Sequence, residues 1–399
     1  MTIEVKKSTA SPSQIRLGFV ALLDAAPLVA ARELGYYSDE GLHVTLERQI
    51  GWGNVRDKLI YGHLHASQAL VGMPPVSVLG RDRFPAPLTT IMALGAGGNA
   101  ITLGRRLTDV GVDNASDLAR HSKSRGPNQQ PLLAHVFDCS MHHYLLRDWL
   151  SAGGIDPDRD VRLCVLPPSQ MTRQVERGCL DGFCVGEPWN TVAEHEGLGK
   201  IVELTNDLLP DHPEKVLAVS RRWLAGCGPA AECLVRATLR GCVFTGDAAN
   251  HSALAEMLGR PEYLDLPGDL LLRSLTLGRR FGGPSRRRSA PAYNIAPATT
   301  FPSATHAAWI LGQMVRWNHL PPTTDVLPVA LEAVETAPYR RAAMAFDLSC
   351  PPDDLPPMRL RSGWFDPKSL AAIDPPRTLS TPKGNHARAT TMLPRQGVL

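Results

Sequence analysis

Three side chains that could cooperate in nucleophilic chemistry lie close together along the chain. Asp138, Cys139 and His142 place a carboxylate, a thiol and an imidazole in the short stretch "DCSMH". A thiol nucleophile and its base normally converge from separate segments of a fold, and no pattern in the sequence marks an oxyanion hole. The sequence therefore does not predict an enzyme.

Patterns for binding phosphate or metal are also missing from the sequence. The glycine-rich "GAGGN" at 95–99 is not GxGxxG, and it lacks the Lys-Ser/Thr of a P-loop. The eight cysteines are scattered, with no CxxC. We therefore predict no cofactor and no bound metal. Cys179 and Cys184, which lie close together, are interpreted as small apolar packing residues.

The stretch "DGFCVGEPWN" at 181–190 has the pattern of a pocket wall. Its apolar run is too short for a buried helix and ends in Gly-Glu-Pro, which predicts a core strand that turns sharply at a surface. Ligands bind beyond the carboxyl ends of strands in open α/β sheets. Glu187 and Trp189, which follow the run, are therefore candidate wall residues.

The bulk composition is that of a globular protein, with two domains as the expectation. The chain has 399 residues, of which 43% are hydrophobic and 20% charged, and its net charge is +3. This composition is far from that of a disordered chain. So balanced a charge predicts no direct nucleic-acid contact and no polybasic attachment to a membrane. The Arg-rich stretch at 279–288 is interpreted as a solvated loop, and the alternative is a loop that contacts nucleic acid or an acidic face of a protein partner.

The first residues predict a cytoplasmic protein. Two lysines near the N-terminus are not followed by a continuous apolar segment, a cleavage site or a lipid-modified cysteine. No run reaches the roughly 18 to 20 uninterrupted apolar residues that span a bilayer. Scattered cysteines, which we expect to be reduced, fit the same compartment.

Alternating strand-type and helix-type segments predict an α/β fold with two lobes. The residues from Ile15 onwards open with a βαβ pattern, and a second α/β series is inserted near Asn99. We predict lobe 1 from 14–98 and 206–375 and lobe 2 from 99–205. Two lobes joined by more than one crossover form a hinge that closes on a ligand. The tail at 376–399 has no periodicity and is predicted to be disordered.

Several segments, in order along the chain, resemble one protein family. They are "GFVALLDAAPLVAARELGYYSDEGLHV", "WGNVRDKLIYG", "MHHYLLRDWLSAGGIDPDRDVRL", "PPSQM", "DGFCVGEPWN", "HPEKVLAVSRRW" and "FPSATHAAWILGQMVRW". Together they resemble the nitrate-binding branch of the periplasmic-binding-protein superfamily, which includes the nitrate and bicarbonate receptors of ABC transporters. The resemblance implies a type II periplasmic-binding-protein fold with a ligand cleft between the lobes.

Within that branch, the lack of an export signal makes the chain resemble the NasS-type cytoplasmic sensors of nitrate and nitrite. Such a sensor holds a NasT-like ANTAR protein, an RNA-binding antiterminator, and releases it when the anion binds. The resemblance thus implies nitrate or nitrite as the ligand and an antiterminator that regulates nitrate assimilation as the partner.

The resemblance also implies a set of residues that bind the anion. Nitrate is planar and singly charged, and its oxygens only accept hydrogen bonds, so its pocket needs one cation, several donors and few facing carboxylates. By resemblance, Lys215 supplies the charge and Trp52 supplies its indole N–H. The backbone amides at Gly53 and Asn54 add further donors.

Three further side chains complete the site implied by the resemblance. Asn99 stands where the family has a glutamine, so it offers the same amide on a shorter stem. Gln68 is an alternative amide, at a position where the family commonly has histidine. His142 matches the family's cleft histidine at the start of a helix, whose N-terminus attracts anions. His143, beside it, is predicted to lie at the surface.

Two other functions stay open on the sequence. A transport receptor for nitrate or bicarbonate has the same fold, but bicarbonate requires a hydrogen-bond acceptor such as a carboxylate. No Asp/Glu cluster beside Trp52, Asn99 or Lys215 is apparent, although Glu214 is the neighbour of Lys215. An enzyme on the same fold, such as a thiamine-pyrimidine synthase, needs a histidine-rich or cofactor-binding site that the sequence lacks.

Overall fold

The computed structural model describes residues 13–80, 86–124, 129–276, 293–295 and 297–369. The segment 279–288 and the tail 376–399 lie outside these residues. The strands are β1 (Ser13–Val20), β2 (Leu42–Gln49), β3 (Ala66–Leu70), β4 (Leu88–Ala93), β5 (Ala96–Gly97), β6 (Asn99–Gly104), β7 (Leu132–His135), β8 (Arg162–Val165), β9 (Gly182–Gly186), β10 (Gly199–Leu204), β11 (Lys215–Ser220), β12 (Tyr293–Asn294), β13 (Met358–Arg359) and β14 (Trp364–Phe365).

The helices connect and cover these strands. They are α1 (Ala26–Glu33), α2 (Tyr36–Asp39), α3 (Trp52–Ile60), α4 (Met73–Leu79), α5 (Arg105–Thr108), α6 (Ala115–Lys123), α7 (Met141–Ala152), α8 (Met171–Glu176), α9 (Trp189–His195), α10 (Thr205–Leu208), α11 (Arg221–Gly226), α12 (Gly228–Gly246), α13 (His251–Leu258), α14 (Gly268–Leu275), α15 (Ala304–Arg316), α16 (Val326–Glu332) and α17 (Ala337–Met344). Among the described residues, no helix has both the length and the apolar character that crossing a membrane requires.

Five strands form the first sheet, in the order β2-β1-β3-β11-β4. Strand β1 runs parallel to β2 and β3, whereas β11 runs antiparallel to β3 and β4. Every residue of β3, β4 and β11 is buried. Because both faces of these strands are covered, their sequences do not show the alternation of a half-exposed strand.

The second sheet takes all its strands from residues 99–204, in the order β10-β6-β9-β7-β8. The predicted core strand in "DGFCVGEPWN" is confirmed as β9, which is buried along its whole length. The predicted α/β fold class is also confirmed, with two mixed five-stranded sheets and helices around them.

The chain passes from the first sheet to the second at residues 94–98 and returns at 205–214. Gly95, Gly97 and Gly98 in the first of these crossovers all have positive φ, which favours glycine. A Cβ atom on Gly95 would lie 2.9 Å from the ring of Tyr293. Glycine is therefore needed there both for the backbone conformation and for the close packing of Tyr293.

The first sheet and the second sheet, each with its helices, form the first and second halves of the molecule. Helix α7, in the second half, packs against the C-terminal end of α15. Arg316 Nη1 lies 3.0 Å from Asp148 Oδ1, and Tyr144 Oη lies 2.9 Å from His319 Nδ1. This packing overturns the expectation that His143 lies at the surface, because the His143 ring stacks on that of His319 and is buried.

Candidate functional site

A cluster of buried charges lies where the two halves of the molecule meet. Lys215, the first residue of β11, places its Nζ 2.8 Å from Asp24 Oδ2 and 2.8 Å from Glu214 Oε1. None of the three side chains is more than 5% exposed. Buried charges are tolerated when they are paired, so each carboxylate depends on Lys215, and Lys215 depends on the two carboxylates.

Burial sets the protonation behaviour of this ion cluster. It raises the pKa of Asp24 and the pKa of Glu214, and the charge of Lys215 offsets only part of that rise. Burial by itself lowers the pKa of Lys215, but the two carboxylates outweigh burial and raise that pKa above its ordinary value. The lysine therefore stays charged, and any proton that the cluster takes up goes to a carboxylate.

Two side-chain amides hold the carboxylates in place, one from each sheet. Gln68 in β3 accepts a hydrogen bond from the Val20 amide at 2.7 Å and donates one to Asp24. Asn99 at the start of β6 donates from Nδ2 to Glu214, while its Oδ1 is buried without a partner. The amide that the sequence predicts at position 99 thus reaches across to the first half.

Trp52 and His142 bring unpartnered polar atoms to the same cluster. The Trp52 ring centre lies 5.4 Å from Lys215 Nζ, and its Nε1 is buried with no hydrogen-bond partner. His142 Nδ1 lies 3.5 Å from Glu214 Oε1, yet neither ring nitrogen makes a hydrogen bond. Buried polar groups nearly always have partners. These atoms are therefore candidate contacts for a ligand.

Two helices begin at this position. Trp52 is the first residue of α3, not part of a loop before it, so the amides of Trp52, Gly53 and Asn54 lie in the first turn and lack acceptors within the helix. His142 is the second residue of α7. Helix N-termini carry partial positive charge, which favours an anion. The Asn54 side chain is exposed, so only its backbone can contribute to the site.

Glu187 and Trp189, two predicted contact residues, join the two halves of the molecule. The Glu187 carbonyl accepts a hydrogen bond from the Leu23 amide at 2.8 Å, and Trp189 Nε1 donates to the Ala21 carbonyl at 3.0 Å. The Glu187 carboxylate accepts hydrogen bonds from Thr191. Burial nevertheless raises the pKa of Glu187 to about 7. Trp189 also lines an open cavity of about 330 Å³.

The position of Asp24 corrects the expectation that few carboxylates face the ligand. Asp24 and Glu214 together form the acidic pair that was not apparent beside Lys215 in the sequence. A signal for Asp24 was nevertheless present, since it interrupts the apolar run "GFVALLDAAPLVA" just after β1 ends. Aspartate is almost never fully buried unless it is paired, and strand carboxyl ends are where ligands bind.

The thiol chemistry considered from the sequence is not supported by the structure. Burial raises the pKa of Cys139 to about 12, so its thiol stays protonated at neutral pH. His142 lies against Glu214 and not in a hydrogen bond with the thiol. The interpretation of Cys184 as a packing residue is confirmed by its burial in β9, whereas Cys179 is exposed.

A second group of side chains, His135, Asp138 and His143, lies close enough together to hold a metal ion. Its geometry does not fit one. The rings of His135 and His143 stack in parallel, with centres 4.1 Å apart, so their lone pairs do not converge. Arg147 Nε donates to His143 Nε2 at 3.0 Å and His143 Nδ1 lies 2.8 Å from the Asp138 carbonyl oxygen, so both ring nitrogens of His143 already have partners.

The fold and the buried cluster define a class of protein, in which two α/β halves joined by two crossovers enclose a ligand. Residues 8–259 match the model of the NMT1-like family. The chain belongs to this family, in which it groups with the NrtA-like nitrate-binding proteins.

Two similar proteins carry transport names. The nitrate import ATP-binding protein NrtC of Synechocystis sp. is 34% identical over 308 residues, which cover 76% of this chain and 46% of NrtC. The bicarbonate transport ATP-binding protein CmpC of Synechococcus elongatus is 32% identical over 84% of this chain and 50% of CmpC. The chain therefore spans about half the length of these relatives.

The nitrate/nitrite binding protein NrtA of Synechocystis sp. is matched over most of its length. It is 30% identical over 364 residues, which cover 88% of this chain and 80% of NrtA. The crystal structure of periplasmic NrtA from Synechocystis superposes with a TM-score of 0.81 over 90% of this chain and 97% of that structure, at 29% identity.

Proposed function

We propose that this chain binds nitrate or nitrite at the cluster around Lys215. The observation that carries the proposal is the buried Trp52 Nε1, a hydrogen-bond donor without a partner beside a charged ammonium group. A small planar anion that accepts hydrogen bonds can use this donor and the N–H of His142 at once. Membership of a family that includes nitrate-binding proteins supports the same ligand.

Calorimetric titration of the purified protein with nitrate, nitrite and chloride tests the proposal. We expect saturable binding of nitrate or nitrite at one site and little binding of chloride, which is spherical and cannot meet several directed donors in the same way. Both oxyanions failing to bind would refute the assignment. Bicarbonate is titrated in parallel, because the acidic pair suits a ligand that also donates a hydrogen bond.

That acidic pair makes bicarbonate binding the second candidate function. The hydroxyl group of bicarbonate can donate to Asp24 or Glu214, whereas nitrate has no donor to offer. In this case the chain would serve as a binding component for bicarbonate uptake. Tighter binding of bicarbonate than of nitrate in the same titration would favour this candidate.

We further propose that the protein is a cytoplasmic sensor whose anion occupancy controls a NasT-like ANTAR antiterminator. Hydrogen bonds from Leu23 to Glu187 and from Trp189 to Ala21 join the two halves beside the site, so they depend on closure. An anion that contacts both halves favours the closed form. A partner that binds the open form then binds more weakly and is released. The anion lowers the affinity for this partner by a coupling free energy of about 1–3 kcal/mol.

Co-purification with an antiterminator of this type, with and without nitrate, tests the sensor role. We expect a complex without the anion and its loss when nitrate is added. A complex that is indifferent to nitrate, or no complex in either condition, would contradict the sensor role while leaving anion binding intact. The remaining alternative is then a substrate-binding component of a transporter.

Close backbone packing beside the site predicts that Gly72→Ala weakens anion binding. A Cβ atom at residue 72 would lie 2.0 Å from the Cys139 carbonyl oxygen of the other half. Overpacking of this kind costs about 1–3 kcal/mol, so we expect the affinity for nitrate to fall by about 5- to 150-fold. Gly226→Ala is the matched control, because nothing lies within 4 Å of its Cβ position. Equal nitrate affinity in both variants would contradict this account of closure.

A further inference from the structure

We propose that Asp24 and Glu214 belong to the binding site itself and that a bound monovalent anion is accompanied by one proton, which this pair of carboxylates holds. The inference rests on the proposed function, because it concerns how the same site accepts its anion. It assigns to the two carboxylates a role in selecting what the site can bind.

The charges in the cluster lead to this conclusion. One ammonium group lies between two carboxylates, each 2.8 Å from Lys215 Nζ, so the fully ionised cluster carries one net negative charge. A monovalent anion would raise that to two negative charges in a region closed to water. Like charges that share a buried site cannot all stay ionised. A proton removes the excess charge.

Among the residues that the structure describes, the titratable groups around the cluster do not supply a second positive charge. Burial lowers the pKa of His142 well below its ordinary value and lowers the pKa of His212 to about 4, so both imidazoles are neutral at neutral pH. Burial also raises the pKa of Cys184 and of Tyr293, which keeps the thiol and the phenol uncharged. The remaining polar neighbours, Gln68 and Asn99, are neutral amides.

Protonation also changes the hydrogen bonding that the pair offers. An ionised carboxylate only accepts hydrogen bonds and repels an oxyanion, whereas a protonated carboxyl group has one O–H donor. The proton comes from solvent, and the new O–H can donate to an oxygen of the anion. The two carboxylates repel the anion when both are ionised, and they bind it when one is protonated.

The direction of the pH dependence follows. The bound anion raises the pKa of the carboxylate pair, so the affinity is high at low pH and is lost as the pH rises above the pKa of the anion-free pair. We expect the affinity for nitrate to fall by about tenfold per pH unit in that range, with uptake of about one proton per anion. Proton uptake is measured by calorimetry in two buffers that differ in ionisation enthalpy.

Three variants locate the proton, in titrations from about pH 6 to about pH 9.5 with a metal chelator present. Glu214→Gln and Asp24→Asn each remove one negative charge, so the affinity should become nearly independent of pH in both. Asp148→Asn is the control, because burial also raises the pKa of Asp148, to about 6, but this carboxylate is paired with Arg316 and not with Lys215. This control should keep the pH dependence of the unmodified protein.

The outcomes separate this inference from the proposed function. Nitrate binding whose affinity is flat with pH and takes up no proton overturns the inference alone. Loss of the pH dependence in Asp148→Asn, with its retention in the other two variants, overturns the assignment to Asp24 and Glu214. Binding that requires a divalent cation, seen as loss of affinity in the chelator, also overturns it. Absence of nitrate binding at every pH refutes the proposed function and this inference with it.

Discussion

Replacing Lys215 by methionine is expected to abolish anion binding and to destabilise the fold by about 3–5 kcal/mol, because it leaves Asp24 and Glu214 buried without their cation. Methionine nearly preserves the volume of the side chain, so the effect reports charge and not a cavity. Urea denaturation with and without nitrate measures both consequences. The variant should show a lower midpoint and no increase in the midpoint when nitrate is added.

A surface lysine provides the control for this substitution. Lys200 pairs with Asp113 at 2.8 Å, but both side chains are more than half exposed, so Lys200→Met should cost about 1 kcal/mol or less. If Lys215→Met does not fold, adding Asp24→Asn and Glu214→Gln should restore folding without restoring binding, because the unpaired charges are gone. Unchanged stability and unchanged nitrate binding in Lys215→Met would disprove the role assigned to the cluster.

Trp52→Phe is expected to weaken nitrate binding by about 10- to 100-fold with little loss of stability. A hydrogen bond to a charged group contributes about 1.5–3 kcal/mol, and the Trp52 indole N–H has no partner within the protein. Removing a buried donor that has no partner stabilises the anion-free protein. This gain offsets part of the stability that is lost because the phenylalanine ring is smaller and packs less well. Calorimetry gives the affinity, and thermal unfolding gives the stability.

Trp317→Phe is the matched control for this variant. Trp317 Nε1 is also buried without a hydrogen-bond partner, but the residue lies at the C-terminal end of α15, where its ring packs against Arg147 and Arg316. The affinity for nitrate should therefore not change in this control. A fall in stability without a fall in affinity for Trp52→Phe would mean that Trp52 serves packing only.

Much of the fold was predictable because its signals are local. Apolar strands that alternate with helix-type segments, with glycines between them, predicted the α/β fold. The short apolar run before Glu187 predicted the buried strand β9. The resemblance pointed to Lys215, Trp52, His142 and Asn99, which the structure brings to one cluster. These predictions depend on residue type and order, which the sequence carries directly.

Other features could not be predicted because they depend on which elements pack together. His143 follows His142 on α7, yet it is buried because its ring stacks on His135 and on His319, which follows α15. Glu187 and Trp189 join the halves through contacts to Leu23 and Ala21, which are distant in the sequence. Periodicity along one helix or strand does not determine what lies against its outer face.

The sequence by itself determined the fold class, the strand β9 and the residue types that an anion site needs. Only the tertiary structure decided the charge of that site, because it brings Asp24, four residues after β1, within 2.8 Å of Lys215, at the start of β11. Electrostatic energy depends on separation in space and on burial, not on distance along the chain. The residue types in the sequence indicate a cationic site. In the folded protein the same site contains two carboxylates around one lysine.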